Sequence, residues 1–128
     1  MVFREFETSS GKKVLGGKSA EQNDELVKQY LGTSNKLLHT AEPGSPFCVI
    51  TELKTTKKDI EETAIFCASK SQDWRDNHSD VEVHVFSGKE TYKTKAMKSG
   101  TFGVRKYNTI KIKKEKIEEF INKTIKSK

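Results

Sequence analysis

The feature that most constrains the fold is a reversal signal between two apolar segments in the first half of the chain. Pro43-Gly44 favours a tight turn, because proline fixes one turn dihedral and glycine accepts a positive one. The flanking segments, residues 36–39 and 47–52, are apolar, and the second is rich in the β-branched and aromatic side chains typical of strands. We therefore predict strand, turn and strand, with the polar residues His39 and Ser45 at the reversal.

Further strands are predicted where short segments are apolar or alternate between apolar and polar side chains, since successive side chains of a strand point to opposite faces. They cover residues 3–8, 13–16, 81–86, 91–95 and 109–113. The segment at 81–86 alternates most regularly. Ser87-Gly88-Lys89 is predicted to turn this segment directly into the strand at 91–95.

Three segments predict helices. The first begins after Ser19, a suitable N-cap, and ends at Gly32. The second covers residues 57–72, and the third covers residues 115–126 at the C-terminus. Helices interspersed with hairpin-linked strands predict an α+β fold with a mixed or mainly antiparallel sheet, packed helices and a C-terminal helix. At 128 residues we expect a single domain over residues 1–128, with a core of about 3–113.

Composition argues against a membrane-spanning or disulfide-stabilised protein. No apolar run approaches the roughly 20 residues needed to span a bilayer, and residues 1–5 lack the features of a secretory signal. Cys48 and Cys67 both lie in apolar segments, so we predict two reduced, buried thiols. The expected location is the cytoplasm.

The net charge of +6 is distributed unevenly along the chain. Residues 1–88 hold 11 Lys and Arg against 14 Asp and Glu, whereas residues 89–128 hold 13 against 4. A segment this basic attracts polyanions, because neutralising phosphates releases condensed counterions. The same pattern is found on solvated, lysine-rich surfaces that bind nothing.

Aromatic residues are interleaved with the cations of this basic region. Cations placed for phosphates, beside rings that can stack on unpaired bases, are suited to RNA. The cations are Lys93, Lys95, Lys98, Arg105, Lys106 and Lys111, and the aromatic residues are Tyr92, Phe102 and Tyr107. The alternative is that the rings pack in the core while the cations face water.

Several of these motifs together resemble the NFACT-R family of RNA-binding domains. The similarity covers roughly residues 3–113, and it is strongest in the strand, His39, Pro43-Gly44-Ser45 and strand arrangement. It also includes Gly17-Lys18, Asn23-Asp24 at the opening of a helix, the alanine-rich helix that closes on Ser71, and residues 100–112. The chain departs from the family pattern at Leu37, Leu38, Pro46 and Lys70.

The resemblance implies an RNA-binding module that catalyses nothing and needs no cofactor. Its implied ligands are tRNA or ribosomal RNA in translation or ribosome quality control, and its implied partners are the ribosome or a separately encoded protein. It places Lys18, Arg105 and Lys106 on phosphates. It makes Asn23, Asp24, His39 and Ser45 the residues that shape the site, with Asp24 also suited to a structural cap.

Two alternatives remain open at this point. A small hydrolase would use His39 to activate Ser45 or Cys48. A protein-interaction or membrane-surface adaptor would use the lysine-rich C-terminal helix.

Two other kinds of site are not supported by the sequence. The segment Gly16-Gly17-Lys18-Ser19 lacks the spacing of a phosphate-binding P-loop. No pair of His or Cys residues has the spacing of zinc ligands, so we expect no metal.

Overall fold

A computed structural model describes residues 2–126 of the chain. Its eight strands are β1 (Arg4–Glu7), β2 (Lys13–Gly16), β3 (Lys36–Thr40), β4 (Cys48–Ile50), β5 (Val81–Ser87), β6 (Thr91–Tyr92), β7 (Gly103–Val104) and β8 (Asn108–Ile112). The four α-helices are α1 (Ala20–Lys28), α2 (Lys57–Ser69), α3 (Gln72–Asn77) and α4 (Lys114–Lys126).

Six of the strands form one antiparallel sheet in the order β1-β2-β4-β3-β5-β8. The strands β6 and β7 pair in a separate two-stranded sheet. Helices cover both faces of the larger sheet, and α4 closes the described part of the chain. The predicted α+β fold, with a mainly antiparallel sheet and a C-terminal helix, is confirmed.

The two faces of the sheet carry different cores because its side chains alternate. Leu38 of β3 packs with α2 and α4, in a cluster that includes Phe66 and Ile117. Leu37, one residue earlier, packs on the opposite face with Leu26 and Val27 of α1. Since a strand repeats every two residues, His39 shares the face of Leu37 and α1.

The predicted helix over residues 57–72 is present as α2, but it ends earlier than expected, and the short helix α3 that follows it was not predicted. Helix α2 ends at Ser69, and Ser71 starts α3 by accepting a hydrogen bond from the Trp74 N–H at 3.1 Å. The Ser71 hydroxyl also donates to the carbonyl of Ala68 at 2.7 Å. A serine that bonds its local backbone in this way competes with helix continuation, so the chain changes direction here.

The predicted strand at 91–95 is also shortened and paired differently. A turn of 3-10 helix at Gly88–Glu90 separates β5 from β6, so the two do not form the expected hairpin. Only Thr91 and Tyr92 are extended, and they pair with β7. Residues 93–102 then leave the sheet and return toward α1.

Both cysteines are free and buried, as predicted. Cys48 lies on β4 and Cys67 on α2, where the two thiols are neighbours inside the core, and burial raises the pKa of the Cys48 thiol. In residues 2–126, no helix has the length and apolar character needed to cross a membrane.

Asp59 joins the start of α2 to the turn between β1 and β2. Its carboxylate accepts hydrogen bonds from the Ser10 hydroxyl at 2.6 Å and from the Thr56 N–H at 3.0 Å, and it pairs with Lys12 at 3.4 Å. Its side chain is only 1% exposed. The Ser10 hydroxyl, followed by the Thr56 N–H, holds the pKa of Asp59 well below its usual range.

We predict that Asp59→Ala lowers the free energy of unfolding by about 2 kcal/mol at pH 7, because it removes the hydrogen bonds from Ser10 and Thr56 and the ion pair with Lys12. The folded pKa is below the unfolded value, so ionised Asp59 stabilises the fold at neutral pH and this contribution is lost as the pH falls below about 4. The difference between variant and parent should therefore shrink toward pH 2. Urea unfolding measures it, with the exposed Glu61→Ala as a control that changes little.

Candidate nucleic-acid interface

A cleft of about 760 Å³ opens at the end of the sheet where β3 finishes and β4 begins. Three parts of the chain surround it: the start of α1, the turn at residues 41–46 and the segment at residues 99–107. Its volume is within the range of binding sites for small ligands. None of its lining residues is acidic.

Four cations line this cleft, and they come from separate parts of the fold. They are Arg4, Lys18, Lys70 and Arg75. Lys18 is exposed just before α1, while Lys70 and Arg75 reach the cleft because the chain turns at Ser71. With no carboxylate among the lining residues to offset them, these cations make the cleft attractive to anions.

His39 lines the cleft, and its hydrogen bond to the backbone shows which ring nitrogen is protonated. Its Nδ1 is 2.7 Å from the carbonyl oxygen of Thr40, and since a carbonyl only accepts, Nδ1 carries the hydrogen. Burial lowers the pKa of His39, which favours the neutral ring at pH 7. In that form Nε2 is a hydrogen-bond acceptor. The ring lies 4.4 Å from that of Phe47.

A second ring pair lies beside the first. His84 on β5 is the direct partner of His39 across the β3–β5 pairing, and its ring stacks on Tyr107 at 3.9 Å. Tyr107 is 49% exposed, so one face of this stack remains accessible. Phe102 packs edge-on against Phe47 at 5.5 Å. The cleft therefore has a wall of rings in which Phe47 is buried and Tyr107 is exposed, and an exposed ring can stack on an unpaired nucleobase.

Two of the predicted site residues have structural partners. The Oδ1 atom of Asn23 accepts a hydrogen bond from the Phe47 N–H at 3.0 Å, which ties α1 to the start of β4. A Cβ on Gly17 would lie 2.0 Å from that Oδ1 atom, so the close approach requires glycine. Ser45 accepts from the Thr40 N–H and donates to the Pro46 carbonyl, each at 3.1 Å.

These contacts do not favour the hydrolase alternative. In the described part of the chain, Nδ1 of His39 bonds to Thr40 and the Ser45 hydroxyl bonds to backbone groups of Thr40 and Pro46. Cys48 is fully buried, and its raised pKa disfavours the thiolate that a nucleophile needs. Within residues 2–126 no three His, Cys, Asp or Glu side chains form a cluster that could hold a metal ion.

Asp24 holds the basic segment against α1. It lies in the second turn of α1 rather than at the helix opening, and its carboxylate accepts hydrogen bonds at 2.9 Å from Lys28, from Lys93 and from the Gly100 N–H. Lys93 also donates to the carbonyls of Lys98 and Thr101. We call these contacts the Asp24 clamp. They support a structural role for both Asp24 and Lys93.

The remaining predicted cations lie outside the cleft. Lys95, Lys98, Arg105 and Lys106 are exposed on the segment between β6 and β8. The guanidinium of Arg105 lies 4.5 Å from the centre of the Tyr92 ring, so Tyr92 pairs with Arg105 rather than facing the cleft. These four cations form a basic border next to the cleft.

Several cleft residues were not predicted from the sequence. Arg4, His84, Phe47 and Arg75 lie far apart along the chain, and the pairing of β3 with β5 brings His84 to His39. The alternation of residues 81–86 contained one usable signal, since it put His84 on the same face as Phe86. Without the strand order, that face could not be connected to His39.

The comparisons with known proteins agree with this fold. Residues 1–106 match the family described as the NFACT protein RNA binding domain. The archaeal Rqc2 homolog aRqcH from Methanocaldococcus jannaschii is 29% identical over 105 residues, which are 75% of this chain and 15% of that protein. The C-terminal part of the fibronectin/fibrinogen-binding protein from Streptococcus suis aligns with a TM-score of 0.79 and 22% identity, over 93% of this chain and 49% of that one.

The fold and the cleft define a small α+β domain with a cationic, ring-lined binding site. The family match extends over most of the chain, and the chain therefore belongs to the NFACT family of RNA-binding domains. The family resemblance proposed from His39, Pro43-Gly44-Ser45 and the flanking strands is confirmed. The chain spans 15% of the archaeal relative and about half of the streptococcal chain.

We predict that Asp24→Asn releases the basic segment from α1. The lost charge weakens the bonds from Lys28, Lys93 and Gly100, so hydrogen exchange at residues 93–101 should become faster and unfolding should cost about 1–2 kcal/mol less. Together, Lys28, Gly100 and Lys93 hold the pKa of Asp24 below its usual range. The stabilisation is therefore present above about pH 4 and is lost as the pH falls below it.

The matched control for this prediction is Glu25→Gln, which removes one carboxylate charge at the neighbouring exposed position of the same helix. It should leave hydrogen exchange at residues 93–101 unchanged. Equal acceleration in both variants would mean that the Asp24 clamp does not hold the segment.

Proposed function

We propose that this domain binds tRNA or ribosomal RNA through the cleft and its basic border, without catalysing a reaction and without a cofactor. The observation that carries the proposal is the composition of the cleft, which combines cations and aromatic rings and lacks carboxylates. Phosphates are attracted by the cations, while exposed bases stack on rings. Family membership supports the same ligand class.

The archaeal relative is named as an Rqc2 homolog, which supports a role for this domain in ribosome quality control. In that role the domain would act as an RNA adaptor in the cytoplasm, and it would work with the ribosome or a separately encoded protein. The chain matches only 15% of that relative, so we expect other domains to take part in the same process.

The adaptor alternatives receive less support from the C-terminal helix. Ile117 of α4 is fully buried, and Phe120 and Ile121 pack against the core that α2 shares. An apolar face that is already covered is not available to insert into a membrane or to bind a partner helix. The exposed side of α4 in the described residues is charged and polar.

We predict that reversing the charge of the basic border weakens RNA binding without unfolding the domain. Arg105→Glu/Lys106→Glu should reduce affinity for a deacylated tRNA at least tenfold, since both side chains are exposed and each phosphate contact contributes about 0.7–0.9 to the slope of log K against log salt. Filter binding over a range of salt concentrations measures both quantities, and thermal unfolding reports the fold.

Lys57→Glu/Lys58→Glu is the matched control, because it makes the same change in charge at the far end of α2 from the cleft. This variant should keep most of the affinity. If both double variants lose affinity equally, binding depends on net charge and the proposed interface is wrong.

We predict that His39→Ala weakens RNA binding by about 1 kcal/mol or more, while the folded domain persists. The ring borders the cleft and offers Nε2 as an acceptor, so its loss removes a contact with the ligand. Affinity and stability must be measured on the same preparation. A large loss of stability with unchanged affinity per folded molecule would show that His39 only supports the fold.

A further inference from the structure

One cation of the cleft has an unusual environment. Arg4 lies on β1 opposite Gly16, and by alternation its side chain shares the face of Phe6, which stacks on Phe66 of α2 at 5.0 Å. It therefore approaches the cleft from the α2 side, near the end of that helix. His39 approaches the same cleft from the α1 side.

The Nε–H group of Arg4 is buried and has no hydrogen-bond partner. It is the one buried side-chain nitrogen or oxygen without a partner in the part of the chain that the structure describes. Buried donors are almost always paired, because leaving one unpaired costs free energy. Arg4 also lines the open cleft, so a ligand in the cleft can approach its guanidinium group.

The charged groups that line the cleft with Arg4 indicate the chemical class of ligand that would bind there. Lys18 and Arg75 also line the cleft, and none of the lining residues is acidic. A guanidinium presents its donors in a planar fork that fits two oxygens of a phosphate. The ligand group at Arg4 is therefore expected to be a phosphate.

The ring wall indicates the state of the RNA that carries this phosphate. His39, Phe47 and Phe102 form one ring group, and Tyr107 leaves a face accessible on the stack with His84. Rings can stack on a base only when the base is unpaired, because the bases of an RNA duplex are stacked on one another and its major groove is too narrow for side chains.

We infer that Arg4 is a phosphate-binding residue, and that the cleft holds an unpaired stretch of RNA with a backbone phosphate on Arg4 and a base on the ring wall. This inference rests on the proposed RNA-binding function and adds the chemical form of the ligand. The Nε–H group of Arg4 adds no hydrogen bond to the fold, because it has no partner in the free domain.

The test compares two RNAs with the same stem, a hairpin with a loop of unpaired nucleotides and a blunt duplex. The parent domain should bind the hairpin at least fivefold more tightly. Arg4→Met, which keeps the length of the side chain but removes its charge and its donors, should bind the hairpin at least fivefold more weakly than the parent. Its salt slope should fall by about 0.7–0.9, as expected for one lost phosphate contact. Its unfolding temperature should stay the same or rise.

Two variants accompany this comparison. Lys13→Met removes one positive charge on the neighbouring strand, where Lys13 pairs with Glu5 at the surface and does not line the cleft, and it should keep hairpin affinity within about twofold. Arg4→Lys restores the charge and should recover the salt slope. If Arg4→Met fails to fold, or loses stability and keeps its hairpin affinity, Arg4 is a structural residue and the inference is wrong.

The remaining outcomes separate the inference from the proposed function. If the parent binds the duplex as tightly as the hairpin, RNA binding stands but the unpaired ligand is wrong. If it binds neither RNA, the proposed function itself is wrong. If inorganic phosphate or a mononucleotide binds with the affinity of the hairpin in an Arg4-dependent way, the ligand is a free small molecule and the inference about RNA is overturned.

Discussion

The pairing register of β3 with β5 is the constraint on which the rest of the site depends. In this register Leu37 is opposite Phe86 and His39 is opposite His84. A shift of one residue in β3 would bring His39 into the position of Leu38, or Lys36 into the position of Leu37, and both leucines are 0% exposed. The burial of those leucines therefore fixes the histidines in the cleft.

Electrostatics then determine what the cleft and its border can attract. The segment at residues 93–102 carries several positive charges that repel one another. The Asp24 clamp holds this segment in place through the Asp24 carboxylate and the bonds from Lys93 to two backbone carbonyls. The clamp also brings Lys93 within 4.7 Å of the centre of the Phe102 ring, which helps to set that ring in the wall. Fold stability and ligand binding are thus connected through residues 93–102.

Much of the fold followed from sequence patterns because those patterns are local. The turn at Pro43-Gly44 and the alternation at 81–86 predicted the central strands, and Ser19 was correctly placed as the cap of α1. The end of α2 near Ser71 was predicted, but the short helix α3 that starts there was not. The outcome depended on a side-chain bond to Ala68 that the helical pattern does not show.

Site residues could be predicted from the sequence only where they lie close together in one sequence motif. His39 and Ser45 were predicted as site residues because they lie in the same turn. In the structure, Ser45 and Asn23 accept hydrogen bonds from the backbone N–H groups of Thr40 and Phe47, so both residues hold the backbone that lines the cleft. Arg4, His84 and Arg75 were missed, since they meet only through strand order and the turn at Ser71. The opposite error concerned Lys93, whose charge indicated RNA but is bound within the domain.

The central claim is that RNA occupies the cleft at the end of the sheet where β3 finishes and β4 begins. At 14.5 kDa the domain is suited to amide chemical-shift mapping of the labelled protein during titration with a short RNA hairpin. The account predicts that the largest shifts occur at the cleft residues around His39, His84 and 99–107, and that α4 is unaffected. Shifts concentrated on the exposed side of α4, with the cleft unchanged, would contradict it.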